Sequence, residues 1–581
     1  MPHLIRPARL KLALLASSLL LCPLSARGED RLKELQTASV ASAKEKSARA
    51  YHFGSQGPND VFSNHASHTN RLIPLYVFGR KADLGAVTGA NSAYRSPEKI
   101  QALYDGVLPE NTLNPRADYA DQSDLFRVQS EAVARGAKHL FIVWFDGLDW
   151  PTTQAAAIVR TGTVYHEGKG AGLIFQDETA GGSARYGFYV TSPTHDKNTP
   201  DLDAQSVTIP PGSLGGGYDA RIAGPNPWTL GPLGPKAPGY LKGQSADETD
   251  KAGVAAVGGV LHAYTDSSTS AGAFASGRKA YNNGLNVLDD GTPVPTLFNR
   301  LQDKGWKVGT VTSVPFDHAS PAAMYAHNVH RDDYQDLARE MLGLDGIGGK
   351  LKGHAPHAGL DVVIGAGFGQ ETAEKSLKAQ GANGLKGNLY LTDLDKATID
   401  VKNGGKYVVA QTEPGTSGGK ALNAAAIRAA ESGHRLFGFY GTKALNHLPY
   451  RTADGRYDPA PDLNGKAETY TKSDLDENPT LAEMTRAALT VLAAKGGQPF
   501  ALFVEAGDVD FALHANNLDN AVGAVFSGED AVKAILEWVE KNSDWDESVL
   551  IVTADHGHYL VLDDPKALLG RSKDQGNDSG R

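Results

Sequence analysis

Short, continuous apolar runs recur along the chain. Each is closed by glycine, proline or an acid, and stretches of helical period lie between them. Leu140 to Phe145, inside Lys138–Gly147, is the clearest and ends on Asp146-Gly147. Trp306 to Val314, Leu360 to Ile364, Arg435 to Tyr440, Pro499 to Glu505 and Ser548 to Thr553 have the same form. Apolarity without alternation predicts strands covered on both faces, as in a parallel sheet. Helices are predicted at Arg31 to Ala50, Gln122 to Arg135, Thr152 to Arg160, Ala322 to Asn328, Thr480 to Ala494 and Asn520 to Lys541. Strands alternating with helices give an α/β fold, a mostly parallel central sheet with helices on both faces. Residues 27–140 read as an N-terminal extension packing on a core domain, 141–581. Within that core, 164–250 is a Gly/Pro/Asp-rich insertion, densest from Pro210 to Lys242.

The first residues break this pattern. Arg6, Arg9 and Lys11 precede the apolar run Leu12 to Leu21, and Leu24-Ser25-Ala26 has the form of a cleavage site. This predicts a signal peptide over 1–26 and a periplasmic or secreted protein. The run is too short for a bilayer span of about 20 residues, and no later segment reads as transmembrane, so no stable membrane anchor is expected. Loss of the leader takes the formal charge from −10 to about −13. An acidic chain argues against a nucleic-acid partner, whose backbone is polyanionic. The single cysteine, Cys22, leaves with the leader. Any metal must then be held by His, Asp, Glu and hydroxyl groups.

Three places carry candidate chemistry. The first is Thr265-Asp266-Ser267 through Gly277, a run of small and hydroxyl residues after the Gly-rich stretch Val254 to Leu261. It reads as a turn that opens a helix, with cap-forming residues at its head. A serine there faces the positive end of the helix dipole, which favours an anion. No histidine follows in a local triad pattern, so activation of the hydroxyl points to metal ions. The second is Phe503 to His514, where Glu505, Asp510 and His514 follow a strand and Asp510 and His514 are one helical turn apart. The third is Thr553-Ala554-Asp555-His556-Gly557-His558. Asp146 stands at a third strand end, where it reads equally as a ligand or as the cap of the next helix. Imidazoles with carboxylates suit Zn²⁺; Asp, Glu and a hydroxyl suit Mg²⁺.

Together these segments resemble the metal-dependent alkaline phosphatases. The likeness extends over roughly 141–560 and includes Lys279-Ala280-Tyr281-Asn282 and His318-Ala319-Ser320-Pro321-Ala322-Ala323 leading to Arg331. The resemblance implies an alkaline-phosphatase-like sheet and a phosphomonoesterase acting through a phosphoserine at Ser267. It implies one zinc on Asp146, Asp555 and His556, a second on Asp510 and His514, and Mg²⁺ on Asp146, Ser320 and Glu505. Arg331 would clamp phosphate, oriented by Asp266, and His558 would stand behind Asp510. Small phosphate esters would be the substrates and a homodimer the assembly, although no stretch reads as an interface.

The sequence departs from the family in three ways. The family carries a further zinc histidine downstream, and no histidine follows His558. A C-terminally incomplete sequence, a replacement ligand or a degenerate site would each account for it. His318 stands where some members carry Asp, which leaves the third metal open. Phe511 follows the metal Asp where some members have a polar or cationic residue. A phosphodiesterase on the same fold and a non-catalytic phosphate- or metal-binding protein are the alternatives. The Arg331 and Ser320/Glu505 sets favour monoesters, and the Ser267 segment lacks the Cys/Ser-x-Pro-x-Arg pattern of sulfatases. Asp149 and Trp150 read as helix cap and packing, Asp508 as a solvated loop acid, and His354 and His357 as surface residues of a loop.

Overall fold

The computed structural model describes residues 30–44, 72–229, 262–462, 465–494, 496–558, 560, 562 and 565–569. The leader, the Val254 to Leu261 stretch and part of the insertion lie outside them. The described strands, in chain order, are β1 (Ile73–Phe78), β2 (Ala120–Asp121), β3 (His139–Phe145), β4 (Arg185–Val190), β5 (Thr199–Asp201), β6 (Ser206–Thr208), β7 (Lys307–Pro315), β8 (Val362–Ala366), β9 (Tyr407–Gln411), β10 (Arg435–Phe439), β11 (Phe500–Ala506) and β12 (Ser548–Thr553). Ten of them form one sheet in the order β2-β4-β1-β12-β3-β11-β7-β8-β10-β9. From β12 to β9 every neighbouring pair is parallel. Only β1 runs against its neighbours, β12 and β4. β5 and β6 pair as a small separate hairpin within the insertion.

The continuous apolar runs are the centre of this sheet. β3 lies between β12 and β11, in register from His139↔Phe500 to Phe145↔Ala506, and Phe141, Ile142, Val143 and Trp144 are fully buried. Helices cover both faces, so these strands have no solvent side and need no polar alternation. The long helix Leu518–Asn542 packs against β3 and β11. Leu481–Leu492 packs against β7 and β8. Gly528 lets the long helix approach closely: a Cβ there would stand 2.2 Å from the Phe145 ring.

Several predicted elements shift at their edges. The helix expected at Ala322 to Asn328 is instead Ala319–Ala323. Pro321 is tolerated because it lies in the first turn, where its missing N–H has no partner to lose. Asn328 leaves the helix to pair with Leu285 in an isolated bridge. β1, β4 and β9 were not read from the sequence. Nor was the helix Gly418–Ser432, whose alanine-rich face carries little contrast. Asp149 is the N-cap of Trp150–Thr161, accepting from Thr152 N at 3.0 Å. Asp508 is buried at the start of the helix Asp508–His514, not solvated. His447 holds it there, with Nδ1 3.4 Å from Asp508 Oδ1.

One buried ion pair ties the first part of the chain to the segment after the Ser267 helix. Lys279 Nζ lies 2.8 Å from Asp121 Oδ2 and donates to Ser192 O at 2.7 Å. The Asp121 carboxylate also accepts from Tyr94 Oη and from Ser123 N and Oγ. Breaking such a pair leaves an uncompensated buried charge, which costs about 3–5 kcal/mol. Lys279→Met is therefore expected to lower the unfolding free energy by about that amount in urea denaturation followed by circular dichroism. Adding Asp121→Asn is expected to recover part of the loss.

Candidate active site

Four neighbouring parallel strands, β12, β3, β11 and β7, end at the same edge of the sheet. Their C-terminal ends deliver Asp555 and His556, Asp146, the Asp510 helix, and His318 with Ser320. Ligand groups collect at this edge in open α/β sheets because the strands stop there and loops diverge. The helix Ser267–Ser276 lies against the same end, with Phe274 edge-on to Trp144 at 5.1 Å. Every residue of that helix is buried. Apart from Phe274 its side chains are small, which lets neighbours approach closely on every side.

The head of this helix is fixed by Asp266. It is the N-cap, and its Oδ1 accepts from Thr269 N at 3.2 Å. Its Oδ2 accepts from Ser268 Oγ at 2.7 Å and from Arg331 Nη1 at 3.0 Å. Burial alone would push this carboxyl up, but Arg331, Ser268 and Thr269 more than offset it and hold it below the usual carboxylate range. Arg331 N bonds to Asn283 O, which fixes the guanidinium's base. Its Nη2 is 3.4 Å from His318 Nε2. Burial and the Arg331 charge drive the His318 imidazole down to about 3, so it is neutral. Phe511 stands edge-on to the His318 ring at 5.6 Å.

Ser267 Oγ points at the strand ends. It lies 3.1 Å from His556 Nε2. The same nitrogen is 3.2 Å from Asp555 Oδ2, 3.5 Å from Asp146 Oδ1 and 4.0 Å from Asp510 Oδ1. Asp510 Oδ1 is 2.5 Å from His558 Nε2 and 3.4 Å from His514 Nε2. Asp555 is anchored through Oδ1, which accepts from Gly147 N and His556 N at 2.9 Å each. Ser270 Oγ bonds the Asp555 carbonyl at 2.7 Å and so fastens the Ser267 helix to β12. Glu505 Oε2 accepts from Thr312 Oγ1 at 2.5 Å. Thr312 is its register partner across β11 and β7, and sequence reading missed it. That neighbour is visible only once the strands are aligned.

The residues fit divalent cations. Both oxygens of Asp146, Oδ2 of Asp555, Oε1 of Glu505 and Oγ of Ser320 are buried with no hydrogen bond in bonding geometry. Such orphaned acceptors are costly unless something positive meets them. Burial, then the charges of Asp555, Asp510 and Glu505, push the Asp146 carboxyl well above its ordinary range. Burial raises Glu505 to about 8, against Thr312 and Ser320, which lower it. His556, buried, falls to about 3 and keeps a lone pair to give. Asp146, Asp555 and His556 place ligand atoms within 4.8 Å of one another, and so do Asp510, His556 and His558. His558 thus joins the ligand-spaced groups and also bonds Asp510, behind which the sequence places it.

A family model described as "Alkaline phosphatase" matches residues 244–567, more than half of the chain. The chain belongs to the alkaline phosphatase family. It is 27% identical over 309 residues to streptomycin-6-phosphate phosphatase of Streptomyces griseus, covering 51% of this chain and 62% of that protein. It is 27% identical over 320 residues to the alkaline phosphatase of Escherichia coli (strain K12), covering 52% and 60%. A crystal structure of Thermus thermophilus alkaline phosphatase aligns at 22% identity with a TM-score of 0.40, over 73% of this chain and 60% of that one. The alignment thus spans about three fifths of the curated relatives' own length. The family segment begins after β3, so Asp146 lies outside it.

Gly147 sits where the site is tightest. Its φ is +72°, and a Cβ would stand 2.6 Å from His558 Cδ2 and 3.2 Å from Asp510 Oδ1. Gly147→Ala is expected to cost about 1–3 kcal/mol in chemical denaturation, from left-handed strain and overpacking. It should also weaken divalent-metal binding in a competition titration with a colorimetric chelator, because His558 must move.

Proposed function

We propose that this chain is a phosphomonoesterase in which Ser267 is the nucleophile. The observation that carries the reading is the placement of Ser267 Oγ. It sits at a helix N-terminus, 3.1 Å from His556 Nε2 and facing buried carboxylates, while Asp266 holds Arg331 beside the same helix head. Helix N–H groups and a guanidinium both favour an anionic phosphoryl group. Ser267 attacks phosphorus, the P–O bond to the leaving alcohol breaks, and a phosphoserine results. Water then attacks phosphorus, restores the serine and releases inorganic phosphate. Arg331 binds two phosphate oxygens, and Asp266 keeps its fork in plane.

Asp146, Asp555 and His556 would hold one zinc. Asp510 and His514, with His558 alongside, would hold the other, and Asp146, Ser320 and Glu505 would hold Mg²⁺. Bound there, the cations would neutralise phosphoryl charge and favour the ionised hydroxyls of serine and water. The substrates are small phosphate esters. We take residues 1–26 as an export leader, 27–140 as the extension and 141–581 as the catalytic domain. The acting form is a homodimer in the periplasm or outside the cell. No described helix is long and apolar enough to cross a membrane.

With zinc and magnesium, release of p-nitrophenol from p-nitrophenyl phosphate is expected, and Ser267→Ala should lower kcat at least about 10³-fold. Arg331→Ala should weaken inhibition by inorganic phosphate about tenfold to a hundredfold, the worth of a charged hydrogen-bonded pair. Chelation should abolish turnover, and the two metals together restore it. Turnover that survives chelation would overturn the metal assignment. Tight phosphate binding without labelling of Ser267 would support a binding protein instead.

A further inference from the structure

A second cluster of ligand-type side chains stands apart from the active site groups. It joins His327, on the turn after Ala319–Ala323, Glu340 in the helix Tyr334–Met341, and His354 and His357 in the loop after Ile347–Lys350. One ligand atom from each of the four falls within 4.8 Å of the other three. Sequence reading placed His354 and His357 on the surface. The structure half-buries both residues and turns their rings onto His327, at centroid distances of 4.7 Å and 5.6 Å.

The hydrogen bonds say what the cluster lacks. His327 Nε2 lies 2.9 Å from the Val294 carbonyl oxygen. A carbonyl only accepts, so Nε2 carries the proton. His327 Nδ1 faces Glu340 Oε1 at 2.9 Å. His354 Nε2 reaches the same oxygen at 3.1 Å. Glu340 Oε2 is occupied by His327 N at 3.0 Å, which fixes the carboxylate. One dication satisfies every group at once. A metal-ligating histidine usually donates its other ring N–H to a carbonyl or carboxylate, as His327 Nε2 does to Val294.

We propose that His327, Glu340, His354 and His357 form a structural site for a zinc-class divalent ion, additional to the active-site metals. Three imidazoles and one carboxylate match a closed tetrahedral zinc set; Ca²⁺ and Mg²⁺ take oxygen ligands. The ion would tie the His354–His357 loop and the Tyr334–Met341 helix to the segment four residues before Arg331. That segment is itself held by the Leu285↔Asn328 bridge and the Asn328–Asp333 hydrogen bond at 2.7 Å.

The test compares the metal-loaded full chain with His354→Asn/His357→Asn, whose side chains lie outside the active-site groups. Elemental analysis after gel filtration is expected to find one zinc equivalent fewer per chain in the variant. Added zinc should raise the melting temperature of the native chain more than that of the variant. In a cobalt-substituted His354→Cys variant, a thiolate-to-cobalt charge-transfer band is expected in the near-ultraviolet. This readout keeps the proposal testable should the double variant fold poorly. Equal zinc content in a folded double variant, or a folded His354→Cys protein with no such band, would overturn the site and leave His327–Glu340 as a plain ion pair. None of these readouts depends on phosphatase turnover, so the two proposals stand or fall separately.

Discussion

Carboxylates converging at one edge of a parallel sheet dominate this structure. Asp146, Asp510, Asp555 and Glu505 arrive from three adjacent strand ends, and Asp146, Asp555 and Glu505 each feel the charge of another of the four. They are buried, so water does not screen them. Against burial, His514, His558 and His556 hold the Asp510 carboxyl well below its ordinary range, while those of Asp146, Asp555 and Glu505 are pushed up. A set of this kind is unfavourable for the bare polypeptide and favourable only around cations. The apolar strands and the Ser267 helix, small-sided apart from Phe274, hold that arrangement. They bring anions close, keep water out and point one serine at the result.

The Ser267 helix shows how local sequence and distant packing divide the work. Asp266 serves as cap, as acceptor for Ser268 and as partner of Arg331. One side chain thereby couples the start of the helix to the orientation of a guanidinium contributed 65 residues later. Ser270 and Gly272 do the rest. The first bonds the Asp555 carbonyl, and the second leaves room for Asn286, whose Oδ1 would lie 3.2 Å from an added Cβ.

Much of this was legible before any coordinates. The central strands announced themselves because a strand covered on both faces has no polar positions to confuse the pattern. The acids at their ends marked the site. Other strands were not legible: β4 lies inside the Gly-rich insertion, and β9 is only five residues long at the edge of the sheet. Asp508 and the pair His354 and His357 were misread for one reason. A polar residue in a Gly- or Pro-flanked stretch looks solvated until its partner, far along the chain, is known. His447 lies 61 residues before Asp508, and Glu340 precedes His354 by a turn and a loop. Thr312 escaped notice because register, not spacing, brings it to Glu505.

The sheet order has a kinetic meaning. β12, the last described strand, is inserted between β1, the first, and β3. Neither flank of that gap can complete its ladder until residues near Thr553 have been synthesised. Contacts of such long sequence separation form slowly, and a chain awaiting them stays open. The surroundings of Ser267 therefore come together as a closing event of folding.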